Sequence, residues 1–307
     1  MKQASRKPDL SRLGTERSNP ASADLDRKSS REIVRIINAQ DAKVAAAVKL
    51  ASRNIARAID SIAGSLAKGG RLIYVGTGTS GRIAALDAAE CAPTFGVSPR
   101  MVQFIMAGGC KALGAAVEAS EDSRRLGERE IAKRRPDKND VVVGIAASGR
   151  TPFTVAAVEY ARSRGARTIA VTCNRHTPLE RAANLAIVAE VGPEVVAGSS
   201  RMKAGTAQKM ILNMLSTGAM ARMGYVYGNL MINLRLKNEK LSQRGLRILA
   251  NAAGLPPKEA RELLSAAGNE LPVAMVMAKA GVSRAAAVSA LKKSGGRVRR
   301  ALEIARH

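Results

Sequence analysis

Five short apolar runs, at residues 72–75, 102–106, 141–146, 168–172 and 185–191, constrain most strongly what this chain can become. Each is nearly continuous rather than alternating, so each must be covered on both faces, as strands of a parallel sheet are. Between them, residues 82–91, 112–133, 152–164 and 179–183 have the length and composition of helices. Right-handed crossovers through such helices predict an α/β fold, a parallel five-stranded sheet flanked by helices. Sheets of this kind bind ligands at their carboxyl edge, where strands hand over to helices.

The remaining sequence is arranged around this unit. Residues 1–30 combine Ser, Pro, Asn and charge without periodicity and predict an N-terminal arm. Ile33, Val34, Ile36 and Ile37, then an Ala-rich run through Ile59 and Ile62, recur at helical spacing as far as Gly69-Gly70 and predict two helices before the first strand. The main domain is expected over 31–250, ending in helices at 203–223 and 238–254. Leu255-Pro256-Pro257 breaks the pattern. Within 251–307, short helical segments at 258–267, 272–281 and 283–293 predict a small C-terminal bundle.

Composition narrows the chemistry. Three cysteines, Cys91, Cys110 and Cys173, cannot all pair and predict a reduced compartment. Two histidines, His176 and His307, with no CxxC or HExxH spacing, leave a zinc site without ligands and a serine-protease triad with almost no base. No run approaches the roughly 20 apolar residues of a membrane helix, and residues 1–19 contain no apolar leader, so a cytoplasmic protein without a membrane partner is expected. Fifty Lys and Arg against 25 Asp and Glu give a formal charge of +25, a field that attracts anions. Aromatic residues make up only 2%, too few for a base-stacking platform, and a specific nucleic-acid partner is not expected.

Three handovers carry hydroxyls. The first, Gly76-Thr77-Gly78-Thr79-Ser80-Gly81-Arg82, matches GxGxxG, but the second strand runs into Ala107-Gly108-Gly109 without the acid that would hold a dinucleotide ribose. Hydroxyls beside free N–H groups at a helix start suit a phosphate monoester instead; a plain turn is the competing reading. The third strand repeats the device in Ala147-Ser148-Gly149-Arg150-Thr151-Pro152. After the fifth, Gly198-Ser199-Ser200-Arg201-Met202-Lys203 adds two cations, or else is only a capped helix with solvated charges. Among carboxylates, Glu90 lies in the apolar stretch Leu86-Asp87-Ala88-Ala89-Glu90-Cys91, where an unpaired buried charge would be costly. Glu118 and Glu121 fall in an acidic island, residues 117–123, which could equally complement a helix dipole.

Together these segments resemble one family, the N-acetylmuramic acid 6-phosphate etherases of the sugar isomerase (SIS) superfamily. The resemblance rests on Thr15-Glu16-Arg17-Ser18-Asn19-Pro20 with 24–26, then 76–82, 87–91 with Pro93-Thr94-Phe95-Gly96, and 118–123. It continues through 144–152, 198–209 and Asn238-Glu239-Lys240-Leu241. It implies a SIS sheet, a ubiquitin-associated-like C-terminal bundle, a homodimer with sites near the subunit boundary, and a lyase that removes D-lactate from a phosphorylated amino sugar. No metal or redox cofactor is implied. By similarity, Glu90 is the proton donor and Glu121 the base. Thr79, Ser80, Ser148 and Thr151 would hold the phosphate, Ser199, Ser200, Arg201 and Lys203 would close around the sugar, and Glu118 would bind a sugar hydroxyl. Related regulators use the same domain to sense a sugar phosphate without catalysis, and an aldose-ketose isomerase would share the early proton abstraction. Paired carboxylates and lactate release distinguish an etherase from both.

Overall fold

In the computed structural model, residues 13–115, 120–234, 236 and 238–306 are described. The chain forms two compact units. The larger comprises residues 1–88 and 100–215, and the smaller residues 89–99 and 216–307.

The larger unit holds a five-stranded sheet of β1 (Leu72–Gly76), β2 (Val102–Met106), β3 (Val141–Ile145), β4 (Arg167–Thr172) and β5 (Leu185–Val188). All pairings are parallel and the order is β2-β1-β3-β4-β5. β1 and β3 are buried at every position, which is why their sequence is continuously apolar. Because the order reverses between β1 and β3, a crevice opens there at the carboxyl edge.

Helices α1 (Ser30–Leu50) and α2 (Ser52–Leu66) precede the sheet, the first started by a reciprocal capping box between Ser29 and Glu32. α3 (Gly78–Phe95) follows β1, α4 (Arg124–Ala132) follows β2, α5 (Pro152–Ser163) follows β3, and α6 (Pro178–Ala182) follows β4. α7 (Lys203–Arg222) closes the order after β5. Ile73 and Val75 pack on one face with Ile131 of α4 and Phe153, Ala157 and Ala161 of α5. Between them Tyr74 points to the other face, donating its hydroxyl to Asp87 of α3, whose second oxygen accepts from Asn213 of α7.

One helix differs from its sequence expectation. The span 112–133 is not a single helix: a 3-10 turn covers Gly109–Leu113, and α4 begins only where the Ser123 hydroxyl accepts from the Leu126 N–H. The described part of the acidic island, residues 120–123, thus precedes α4 and does not lie on its face.

In the smaller unit, α8 (Glu239–Ala253) shares a core with α9 (Pro257–Ala266), α10 (Leu271–Ala280), α11 (Arg284–Lys293) and α12 (Val298–Ala305). Leu249, Leu264, Leu271, Met275, Ala290 and Leu302 meet there. No single helix among the described residues is long and apolar enough to cross a membrane.

Candidate active site

The two strands flanking the crevice present the first two hydroxyl loops side by side, since Gly76 of β1 is in register with Ile145 of β3. The first turn of α3 then offers backbone N–H groups, and its dipole, to an anion in that crevice. The third loop returns to the same place. A methyl group on Gly205 in α7 would lie 3.4 Å from Thr79 Cγ2 and 3.6 Å from the Ser200 carbonyl oxygen.

Thr79, Thr151, Ser199 and Ser200 have no hydrogen-bond partner for their hydroxyls among the described residues, and Ser148 Oγ only accepts, from the Arg150 N–H at 3.3 Å. These groups can turn to a ligand. Ser80 differs: its hydroxyl is buried and donates to Gln208 Oε1 of α7 at 3.0 Å, leaving the Gln208 Nε2 without a partner. Ser80 therefore faces inward, and what it gives an anion comes from its backbone. Arg201 is exposed.

Lys203 is placed differently from the cation that was expected to close around the sugar. It is 1% exposed, and its Nζ donates to Gln40 Oε1 of α1 at 3.0 Å. Burial pushes its ammonium below the ordinary lysine range, with the charge of Glu194 opposing that shift. Glu194, fully buried, accepts from the backbone N–H groups of both Lys203 and Ala204 at 2.9 Å. The N-terminus of α7 thus already holds an internal anion, whereas that of α3 faces the crevice.

Glu121 lies at the first loop. Its Oε2 accepts from the Thr77 hydroxyl at 3.0 Å, and a methyl on Gly78 would stand 3.3 Å from its Oε1. Its carbonyl accepts from the Phe153 N–H at 3.0 Å, just after Thr151-Pro152. Base candidate, glycine loop and second hydroxyl loop are thereby joined. Glu118 lies outside the described residues.

The burial expected for Glu90 is corrected. Ala84, Ala88, Cys91 and Phe95 form the inward stripe of α3, whereas Leu86, Ala89, Glu90 and Pro93 are exposed. Glu90 stands twelve residues, more than three helical turns, after Gly78 on α3.

Sequence reasoning missed Thr77, Gln208, Glu194 and Asn174. The last had a usable signal. Asn174 follows the end of β4, a carboxyl-edge position like the other three handovers. Its amide donates to the Ala147 carbonyl at 2.9 Å, directly before Ser148. Beside it, burial pushes the Cys173 thiol up to about 12, with the charge of Glu194 adding to the effect.

Comparison with known proteins gives the following. The model "Glucokinase regulatory protein N-terminal SIS domain" matches residues 54–162, and the model "SIS domain" matches residues 132–218. The N-acetylmuramic acid 6-phosphate etherase of Vibrio vulnificus (strain YJ016) is 49% identical over 296 residues, covering 96% of this chain and 99% of that protein. The N-acetylmuramic acid 6-phosphate etherase 1 of Bacillus licheniformis is 46% identical over 295 residues, covering 96% and 97%. A solved phosphoheptose isomerase from Francisella tularensis superposes with a TM-score of 0.51 at 20% identity, covering 63% of this chain and all of that one. At that identity it shows a shared fold only.

Proposed function

Because this chain belongs to the N-acetylmuramic acid 6-phosphate etherase family, we propose that it is a cytoplasmic carbon-oxygen lyase acting in amino sugar recycling. It cleaves the D-lactyl ether of N-acetylmuramic acid 6-phosphate, giving N-acetylglucosamine 6-phosphate and D-lactate. The observation that supports this reading is the Thr77 to Glu121 hydrogen bond, which fixes a carboxylate beside the glycine and hydroxyl turn after β1.

The phosphate sits at the start of α3, against the hydroxyls of Thr79, Ser148 and Thr151 and the backbone of Ser80. Ser199, Ser200 and Arg201 reach the sugar. Ring opening exposes an aldehyde at carbon 1 and acidifies the carbon 2 proton, which Glu121 removes while Thr77 steadies its carboxylate. The ether oxygen then leaves carbon 3 with a proton from Glu90; Glu90 next deprotonates the water whose oxygen adds to carbon 3 of the carbon 2–carbon 3 double bond, and Glu121 returns its proton to carbon 2. Proton and water balance to net hydrolysis.

One helix cannot bring its far end back to its own first turn, so Glu90 acts on the site of a second copy. The enzyme is then a homodimer in which each site takes Glu121 from one subunit and Glu90 from its partner. The exposed Leu86, Ala89 and Pro93 around Glu90 support a covered face there.

Purified protein and the muramic substrate, assayed for D-lactate and for solvent exchange at carbon 2, test the roles. Glu90→Ala should abolish lactate release and keep the exchange; Glu121→Ala should lose both. Mixing the two inactive variants through unfolding and refolding should restore about one quarter of wild-type activity, because half the dimers are mixed and each has one intact site. No recovery on mixing would refute the shared site. Sugar-phosphate binding without any lactate from the wild type would favour a sensor.

A further inference from the structure

Within the N-terminal arm, residues 13–22 run along the carboxyl edge and are tied at both ends of that stretch to loops of the candidate site. At one end, Asn174 is 6% exposed and its side chain makes three hydrogen bonds to two segments, the arm and the loop before Ser148. Its Oδ1 accepts from the Gly14 N–H at 2.8 Å, and its Nδ2 donates to Thr15 Oγ1 at 3.3 Å and to the Ala147 carbonyl at 2.9 Å. At the other end, Asn19 Nδ2 donates to the Pro193 carbonyl and to Gln40 Oε1, both at 3.1 Å, and Ser22 Oγ donates to the Val195 carbonyl at 2.7 Å. Between the ties, the Thr15 carbonyl accepts from the Gly198 N–H at 3.2 Å.

We propose that residues 13–22 are a brace that sets the Ser148 loop and the Ser199-Ser200 loop at the spacing a phosphosugar requires, with Asn174 as the positioning residue. The proposal rests on reading those loops as the phosphosugar site. Residues 189–202, between β5 and α7, contain neither strand nor helix. A connection of this length holds one shape only where its backbone groups find partners. The arm supplies them at Pro193, Val195 and Gly198, on the approach to Ser199.

Asparagine suits the other tie because one buried amide must accept and donate at once. Aspartate has no donor for the Ala147 carbonyl, and alanine leaves that carbonyl, the Gly14 N–H and Thr15 without this partner. Fixing the Ala147 carbonyl fixes the peptide that precedes Ser148. The loops grip the phosphosugar alike in the ground state and the transition state, so loosening them is read in affinity and KM rather than in kcat.

Thr15→Val removes one hydroxyl at nearly constant volume, Thr15→Ser restores it, and Asn174→Ala removes the whole tie. The readouts are affinity for N-acetylglucosamine 6-phosphate by calorimetry, KM and kcat for lactate release, and hydrogen exchange of the unliganded protein. Thr15→Val and Asn174→Ala should weaken affinity and raise KM by about fivefold or more, with kcat within about twofold. Exchange should quicken at 147–151 and 193–200, and Thr15→Ser should behave as wild type.

Unchanged affinity and exchange in Thr15→Val would overturn the brace, as would a lowered Tm with unchanged KM. Should Asn174→Ala fail to fold, the Thr15 pair decides alone. A wild type that binds the sugar phosphate but releases no lactate removes the etherase reading while the affinity series still tests the brace. If it binds no sugar phosphate, the positioning role falls with it.

Discussion

Gly149 has no room for a side chain. Its φ is +66°, and a methyl group there would lie 2.4 Å from the Oγ1 of Thr177, which is itself buried and caps α6. Strain and overlap therefore add, and Gly149→Ala should destabilise the protein by about 2–5 kcal/mol and displace Ser148 and Thr151 on either side. Gly109, at φ +63° with nothing within 4 Å, is the control. Gly109→Ala carries the backbone cost alone, roughly 1 kcal/mol. Urea denaturation of the two variants measures the difference, and equal losses would mean that Thr177 yields freely. The same scale separates hydroxyls that sequence places together: Thr79 and Ser80 are neighbours, yet only Ser80 is committed to Gln208. Which way a side chain turns depends on what α7 brings from 128 residues away, and no local pattern records that.

At the scale of elements, α3 and α7 both start at the carboxyl edge, and their N-termini do different work. That of α7 is neutralised from within by Glu194, so Lys203 and its helix are structural anchors of the third loop. Glu194→Ala would leave two N–H groups and a buried ammonium without their anion. It should cost roughly 3 kcal/mol, or about 6–12 °C in Tm, readable by thermal unfolding. A loss below one degree would show that water replaces the carboxylate. The strands were legible in the sequence because doubly covered strands cannot alternate, and β2 matches its apolar run end to end. Boundaries set by tertiary contacts were less so: β5 stops at Val188 although the apolar run continues to Val191. The last helix escaped notice because Arg297, Arg299 and Arg300 crowd a two-turn segment whose inward stripe is only Val298, Ala301 and Leu302. Glu90 was misread for a related reason. An apolar neighbourhood in sequence is not a buried one when the helix turns that residue outward.

On the scale of the whole molecule, the charge of +25 remains to be connected to the reaction. The proposed substrate carries a phosphate ester and a carboxylate, so a broadly positive protein raises its local concentration before any contact forms. The positive charge is not confined to the site. At the amino edge of the sheet a groove of about 810 Å³ is lined by Arg57, Arg162 and Arg167 together with one carboxylate, Asp60, a net excess of positive charge. If the field acts as a whole, its effect is long-ranged and screened over a Debye length of about 10 Å at 0.1 M salt. Raising salt from about 0.02 to about 0.5 M should then lower kcat/KM severalfold through KM while kcat holds. Reversing two charges in the amino-edge groove, Arg162→Glu with Arg167→Glu, should lower kcat/KM less than about twofold at low salt and not at all at high salt. A flat salt profile would mean that the excess charge serves something other than substrate capture. A large low-salt effect from those two reversals would mean that the groove communicates with the reacting edge rather than merely adding to the field.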